Sequence, residues 1–200
     1  MKIVGICGSS GSGKSTVSKY FQEHGIPVLD CDKIYHTLVE SPSDCLAEIG
    51  EKFGNDLIQN GYLDRKKLGN IVFQNREKLE ILNEISHRHV ILELEKRIAE
   101  FSKSNLKSCI IDAPLLFESG LDKRCDAIIA VISDEKQQIK RICERDGIDE
   151  ASAKTRLHNQ KDANTLSELA DFVIHNNGTY EELLLQCEKI RNKIFTKKGE

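Results

Sequence analysis

Residues 2–16, KIVGICGSSGSGKST, pass from an apolar run through a glycine-rich turn into a helix start. The run 2–7 predicts a buried strand, and 14–24 predicts a helix that stops at Gly25. Between them Gly8, Gly13, Lys14 and Ser15 complete the pattern G-x-x-x-x-G-K-[ST], in the strand-to-helix context that a phosphate-binding loop requires. Glycines let backbone N–H groups turn inward around phosphate oxygens, and the helix N-terminus adds partial positive charge. Lys14 is expected to reach the β and γ phosphates of a nucleotide and Ser15 to ligate Mg2+, with Gly8, Gly11, Ser12, Gly13 and Thr16 completing the cradle.

Outward from this loop, a second short strand is expected at 27–29, ending at Asp30, with Asp32 as N-cap of a helix through Leu38. Residues 43–103 carry hardly any strand signal and predict helices at 43–53, 64–73 and 76–101. Strand signals return at 108–112, 126–132 and 171–174, separated by helices. That alternation indicates an α/β fold with a parallel sheet covered by helices. The charged, helix-rich stretch 133–170 could form a mobile cap, and Thr179 with Glu182 has capping-box spacing before a last helix and a frayed basic tail.

The composition narrows the function classes. Two hundred residues, 39% hydrophobic and 30% charged with a net charge of −3, suit one compact domain and give no electrostatic footprint of a nucleic-acid binder. The opening MKIVGI is too short for a signal peptide's apolar core or a membrane span, so a soluble, cytoplasmic protein is expected, with no membrane partner. The seven cysteines form no C-x-x-C pair, which fits small buried hydrophobes in a reducing compartment better than zinc ligands or disulfides.

Further residues could carry chemistry. Asp30 or Asp32, at a strand's carboxyl end, could accept a proton from an attacking hydroxyl, although Asp32 could equally only cap its helix. Asp112 could help hold the metal shell, with Phe117 and Glu118 facing an acceptor pocket; a strand end with a turn-forming proline is the plainer alternative. Arg141 and Arg145 share a helix face and could neutralise phosphate charge, or could pair on the surface with Glu144 or Asp146. His87 and His89 lie two apart on a helix and so point away from a shared metal. His89 continues a stripe of Leu82, Ile85 and Leu92 and is expected to be a core histidine, whereas His87 lies off it and could face a ligand. The amides of Asn176 and Asn177 could read an adenine edge, or serve only a turn.

A regulatory GTPase would need D-x-x-G after the third strand and N-K-x-D for guanine. The chain has Asp112-Ala-Pro-Leu at the first place and lacks the second. A non-catalytic ATP-binding module would need neither an acceptor-side carboxylate nor an arginine-bearing cap. Small-molecule kinases remain, and a nucleoside or nucleotide kinase shares the same core.

The order of motifs resembles the dephospho-coenzyme A kinase family along nearly the whole chain. The resemblance rests on Asp30 and Asp32 after the P-loop, on Gly61, Leu63, Asp64, Arg65 and Leu68, and on the intact segment 114–118, PLLFE. It continues with Gln138, Arg141 and Arg145, then Arg156 and Gln160, and closes with Ala170, Asp171, Val173, Ile174, Asn176 and Gly178. The family usually has Thr-Gly-Gly where Cys7-Gly8-Ser9 stands, and His-Pro where His87-Arg88 stands. The resemblance implies a single P-loop kinase domain over 1–200 with a five-stranded parallel sheet, a helical acceptor-binding insertion at 33–103 and a helical lid at 133–170. It implies transfer from ATP, with Mg2+, to the ribose 3'-hydroxyl of dephospho-coenzyme A. Asp32 would be the base, and Lys14 and Arg141 would stabilise the transferring group. Asp30, His87, Phe117 and Glu118 would lie on the acceptor side, and Asn176 on the ATP side.

Overall fold

The computed structural model describes residues 1–195, and the basic tail expected at 197–200 lies outside them. In chain order the elements are β1 (Lys2–Cys7), α1 (Lys14–Glu23), β2 (Val28–Asp30), α2 (Cys31–Val39), α3 (Asp44–Phe53), β3 (Ile58–Gln59), β4 (Tyr62–Leu63), α4 (Arg65–Val72), α5 (Arg76–Lys103), β5 (Ser108–Asp112), β6 (Ala127–Ile132), α6 (Glu135–Asp146), α7 (Glu150–His158), α8 (Ala163–Leu169), β7 (Phe172–His175) and α9 (Tyr180–Phe195). They form two compact units. The first joins Met1–Leu29 to the chain from Leu106 onward, and the second is Asp30–Asn105.

The first unit is built on the sheet, ordered β2-β5-β1-β6-β7, in which β1 pairs in parallel with β5 and β6, and β6 with β7. Strands covered on both faces need continuous apolar runs, which explains IVGIC, SCIID and AIIAVI. Val4, Ile6, Ile110, Ile129 and Val131 pack with Val17 and Phe21 of α1 and with Leu183, Ile190 and Ile194 of α9. The Lys2 ammonium donates to the Ile194 carbonyl at 2.9 Å, so both ends of the described chain meet at this core. Thr179 and Glu182 exchange backbone-to-side-chain hydrogen bonds at 2.9 and 3.3 Å, and the expected capping box is there. With β1 central and chain order reversing around it, residues 8–13 leave the sheet at the edge where ligands collect in open α/β folds.

The second unit is helical apart from one hairpin. Ser43, Asp64 and Asn75 each accept a backbone N–H three residues on and start α3, α4 and α5. Asp30 does the same for α2, accepting from Lys33 N at 3.0 Å. The expected cap was Asp32, but α2 begins at Cys31 and places Asp32 inside its first turn. The hairpin β3–β4 turns through Asn60 and Gly61, with φ of 53° and 83°, the signs that a tight two-residue turn demands. Its Ile58 and Leu63 join a core of Val39, Leu46, Ile49, Leu57, Leu68 and Ile85.

Along α5 the buried side moves round the axis, from Ile85 to Val90 and Leu94, about 140° and 180° away at 100° per residue. Leu92 is therefore 56% exposed and does not continue the stripe drawn through Ile85. His89 is not an apolar-core residue either. Its Nε2 lies 2.8 Å from Glu48 Oε2, and with Arg88 it holds the Glu48 carboxyl below the usual carboxylate range.

Helices α6 and α7 pack through Ile139, Ile142, Ala153 and Leu157. Asp146 closes their junction: Arg145 donates to it at 2.7 and 3.0 Å, and Arg156 also pairs with it. These guanidiniums, Arg145 foremost, pull the Asp146 carboxyl from 3.8 to about 2. A depressed acid stabilises the fold above its unfolded pKa and loses that contribution as pH falls through the folded one. We predict that an acid titration of stability falls between about pH 4 and pH 2, and that Asp146→Asn flattens that fall. Superimposable acid limbs for the two proteins would exclude Asp146 as its source.

Candidate functional site

The loop between β1 and α1 has little room for side chains. A Cβ on Gly11, where φ is 74°, would meet the Gln138 carbonyl at 2.6 Å. One on Gly13, where φ is 95°, would strike the Asn176 amide nitrogen. Asn176, 8% exposed at the end of β7, donates through Nδ2 to the Ser12 carbonyl at 2.7 Å. Its own carbonyl accepts from Ser133 Oγ at 3.0 Å and from Arg141 at 3.2 Å. The Asn176 amide nitrogen therefore engages the loop backbone, while Asn177 Oδ1 accepts from Asp134 N at 2.8 Å.

Arg141, on α6, donates to the Gly11 carbonyl at 3.0 Å, to Ser133 Oγ at 3.2 Å and to Gln137 Oε1 at 3.0 Å. The two arginines of this helix thus diverge. Arg141 grips the loop, and Arg145 turns to Asp146, the surface pairing weighed for it in the sequence. Gln138 Nε2 donates to Ser9 Oγ at 2.6 Å and to the Ser10 carbonyl at 3.1 Å, and Gln160 Oε1 accepts from Ser10 N at 2.8 Å.

At the loop's other end, Lys14 opens α1 and its ammonium pairs with Asp112 at the end of β5. Asp112 is 4% exposed, and its second oxygen accepts from Ser18 Oγ at 2.5 Å. A buried carboxylate held by a cation and a hydroxyl is well satisfied. Ser15 is exposed in the first turn of α1, and Thr16 N donates to the Gly13 carbonyl at 3.0 Å. Ser12 Oγ is fully buried without a hydrogen-bond partner. Cys7, the last residue of β1, is also fully buried, and that burial pushes its thiol up to about 12 despite the Lys14 charge. At neutral pH it stays a thiol.

Phe117 is half-buried after β5, and Glu118 forms an ion pair with Lys161 at 3.1 Å. Lys14, Asp112, Ser12, Arg141 and Asn176 converge in the first unit. Asp30, Asp32 and His87 belong to the second, where Asp32 is exposed in the first turn of α2 and His87 is half-buried on α5. Among the residues in these contacts that went unassigned in the sequence are Ser18, Gln138, Gln160 and Lys161. Gln138 and Gln160 stood in the quoted signatures, but Ser18 and Lys161 carried no signal of their own. Among the described residues no three His, Cys, Asp or Glu side chains gather as a metal cluster, and no helix is long and apolar enough to cross a membrane.

The family model for dephospho-CoA kinase matches residues 2–182. A dephospho-CoA kinase of Fusobacterium nucleatum is 46% identical over 193 residues, covering 96% of this chain and 98% of its own. One from Carboxydothermus hydrogenoformans is 37% identical, covering 99% and 98%. Among solved structures, the dephospho-CoA kinase from Campylobacter jejuni superimposes with a TM-score of 0.72 at 30% identity, covering 97% and 98%. A shikimate kinase from Acinetobacter baumannii, at 0.57 and 18% identity over 100% and 96%, shares the fold alone. With a phosphate loop built in full and a match spanning nearly every element described, the chain belongs to the dephospho-CoA kinase family.

Proposed function

We propose that this protein transfers the γ-phosphoryl group of ATP to the ribose 3'-hydroxyl of 3'-dephospho-coenzyme A, giving coenzyme A and ADP, the last step of that cofactor's synthesis. The family match over residues 2–182 carries the reading. The built P-loop supports it chemically. In the transfer, the bond from the 3'-oxygen to the γ-phosphorus forms, the bond from that phosphorus to the β,γ-bridging oxygen breaks, and the hydroxyl proton goes to a protein base.

Asp32 is our choice for that base, being an exposed carboxylate in the first turn of α2. Lys14 is one ion pair away from the phosphates' place, needing only to leave Asp112 for a γ-oxygen. Arg141 sets its guanidinium on the Gly11 carbonyl, where it would hold the loop's shape and offset phosphate charge. Gly8, Gly11, Ser12, Gly13, Ser15 and Thr16 would line the ATP side, with Asn176 acting through Ser12. Asp30, His87, Phe117 and Glu118 are acceptor-side candidates, residues 33–103 the acceptor-binding part and 133–170 the lid.

Ser15 and Asp112 offer a hydroxyl and a carboxylate, hard oxygens suited to a Mg2+ ion that takes most of its shell from phosphates and water. Bound with ATP, the ion would neutralise charge between the β and γ phosphates. The seven unbridged cysteines support a reducing, cytoplasmic setting.

The deciding assay measures ADP release with ATP, magnesium and a panel of dephospho-coenzyme A, nucleosides, nucleoside monophosphates and pantothenate. Dephospho-coenzyme A should be the substrate that raises release, and a nucleoside or nucleotide doing so instead would replace this reading. Asp32→Asn should keep ATP affinity and lose on the order of a hundredfold or more in kcat. Turnover at the wild-type level would remove Asp32 from the base role. For Arg141→Lys, which keeps the charge but not the fork, we expect kcat to fall on the order of tenfold or more. An effect confined to KM for the acceptor would count against its place at the phosphates.

A further inference from the structure

We propose that Gln160 and Lys161 act together as a positioning strap, holding the P-loop against the segment 114–118 so that the γ-phosphoryl group meets the acceptor hydroxyl and not water. The inference rests on the kinase reading above. Gln160 sits just past α7, its own N–H on the Leu157 carbonyl at 2.9 Å, and α7 is anchored on α6 by Ala153 and Leu157. From that fixed point its Oε1 accepts the Ser10 N–H at 2.8 Å. The next residue, Lys161, reaches Glu118 Oε1 at 3.1 Å. Adjacent residues therefore touch the donor loop on one side and the PLLFE segment on the other.

The chemistry of the two contacts suits a spacer. A neutral carboxamide oxygen satisfies a backbone N–H without bringing negative charge toward phosphates, which a carboxylate would do. The Lys161 and Glu118 side chains are 33% and 35% exposed, and ion pairs of that exposure stabilise a fold little, so their effect is on geometry. Ser10 is held from its other side as well, its carbonyl accepting from Gln138 at 3.1 Å. Releasing Gln160 thus frees one edge of the loop without unfolding it. Phosphoryl transfer depends on placement, and a displacement of about 1 Å can cost on the order of a hundredfold in rate.

The test uses the full chain with ATP, magnesium and dephospho-coenzyme A, quantifying ADP and coenzyme A in the same reaction, with Tm measured alongside. Wild type should release the two products in equal amounts. Gln160→Met and Lys161→Met should each lower kcat on the order of tenfold and leave KM for dephospho-coenzyme A and Tm near wild type. In each variant ADP should exceed coenzyme A, because water now takes part of the phosphoryl flux. Equal product amounts from either variant overturn the strap, whatever happens to kcat, since a merely structural role lowers rate without changing the partition. A wild-type protein that forms no coenzyme A refutes the kinase reading instead, so the two failures are told apart.

Discussion

The backbone of residues 9–12 satisfies itself only through Ser12 N on the Ser9 carbonyl at 3.1 Å, and the site depends on how the remaining need is met. A loop that offers its N–H groups to a ligand cannot fold them into a helix or a sheet, so its remaining polar groups need other partners. Here the partners are side chains from far along the chain. Gln138 serves Ser9 and Ser10, Arg141 serves Gly11, Gln160 serves Ser10, and Asn176 serves Ser12, at sequence separations of 128 to 164 residues. The tightness of that packing explains why Gly11 and Gly13 admit no Cβ. It also explains why α6 must lie where its backbone can touch the loop.

Most of the sheet was legible because buried parallel strands announce themselves as unbroken apolar runs, and because the P-loop pattern marks both a strand end and a helix start. The weaker readings share a cause. The Asn60-Gly61 pair carried a hairpin signal, yet strands of two residues are too short to show alternation. Asp32 was the expected cap and Asp30 the expected strand end, two residues apart, and only the register of the first α2 hydrogen bond makes Asp30 the cap. The long α5 has no single buried face, so a stripe projected from Ile85 ends at an exposed Leu92. Within the site, the loop and Lys14 were readable from local spacing. The Ser18 contact with Asp112 and the Lys161 contact with Glu118 join segments that only the completed sheet brings together.

The two departures from the family's loop pattern have different physical weight. Cys7 replaces a hydroxyl with a thiol that burial keeps neutral, so it contributes packing at the end of β1 and no charge to the phosphates. Ser9 adds a hydroxyl where glycine is usual, and that hydroxyl is used at once as the 2.6 Å acceptor for Gln138. One change leaves the site's electrostatics alone, and the other adds a tie between loop and α6.

The division of the chain has a consequence for how the protein is made. The first unit draws β1 and α1 from its opening residues and β6, β7 and α9 from residue 127 onward, with the Lys2 ammonium on the Ile194 carbonyl. The second unit is one uninterrupted stretch, Asp30–Asn105, with its own apolar core. During synthesis, as domains close in order of emergence, the second unit has all its residues in hand while β1 still awaits both strands that flank it, β5 and then, later, β6. At a translation speed of about 5–20 residues per second, β1 and the P-loop spend several seconds or more without β6. The most sequence-conspicuous part of the chain is thus made ahead of the second unit and completed after it.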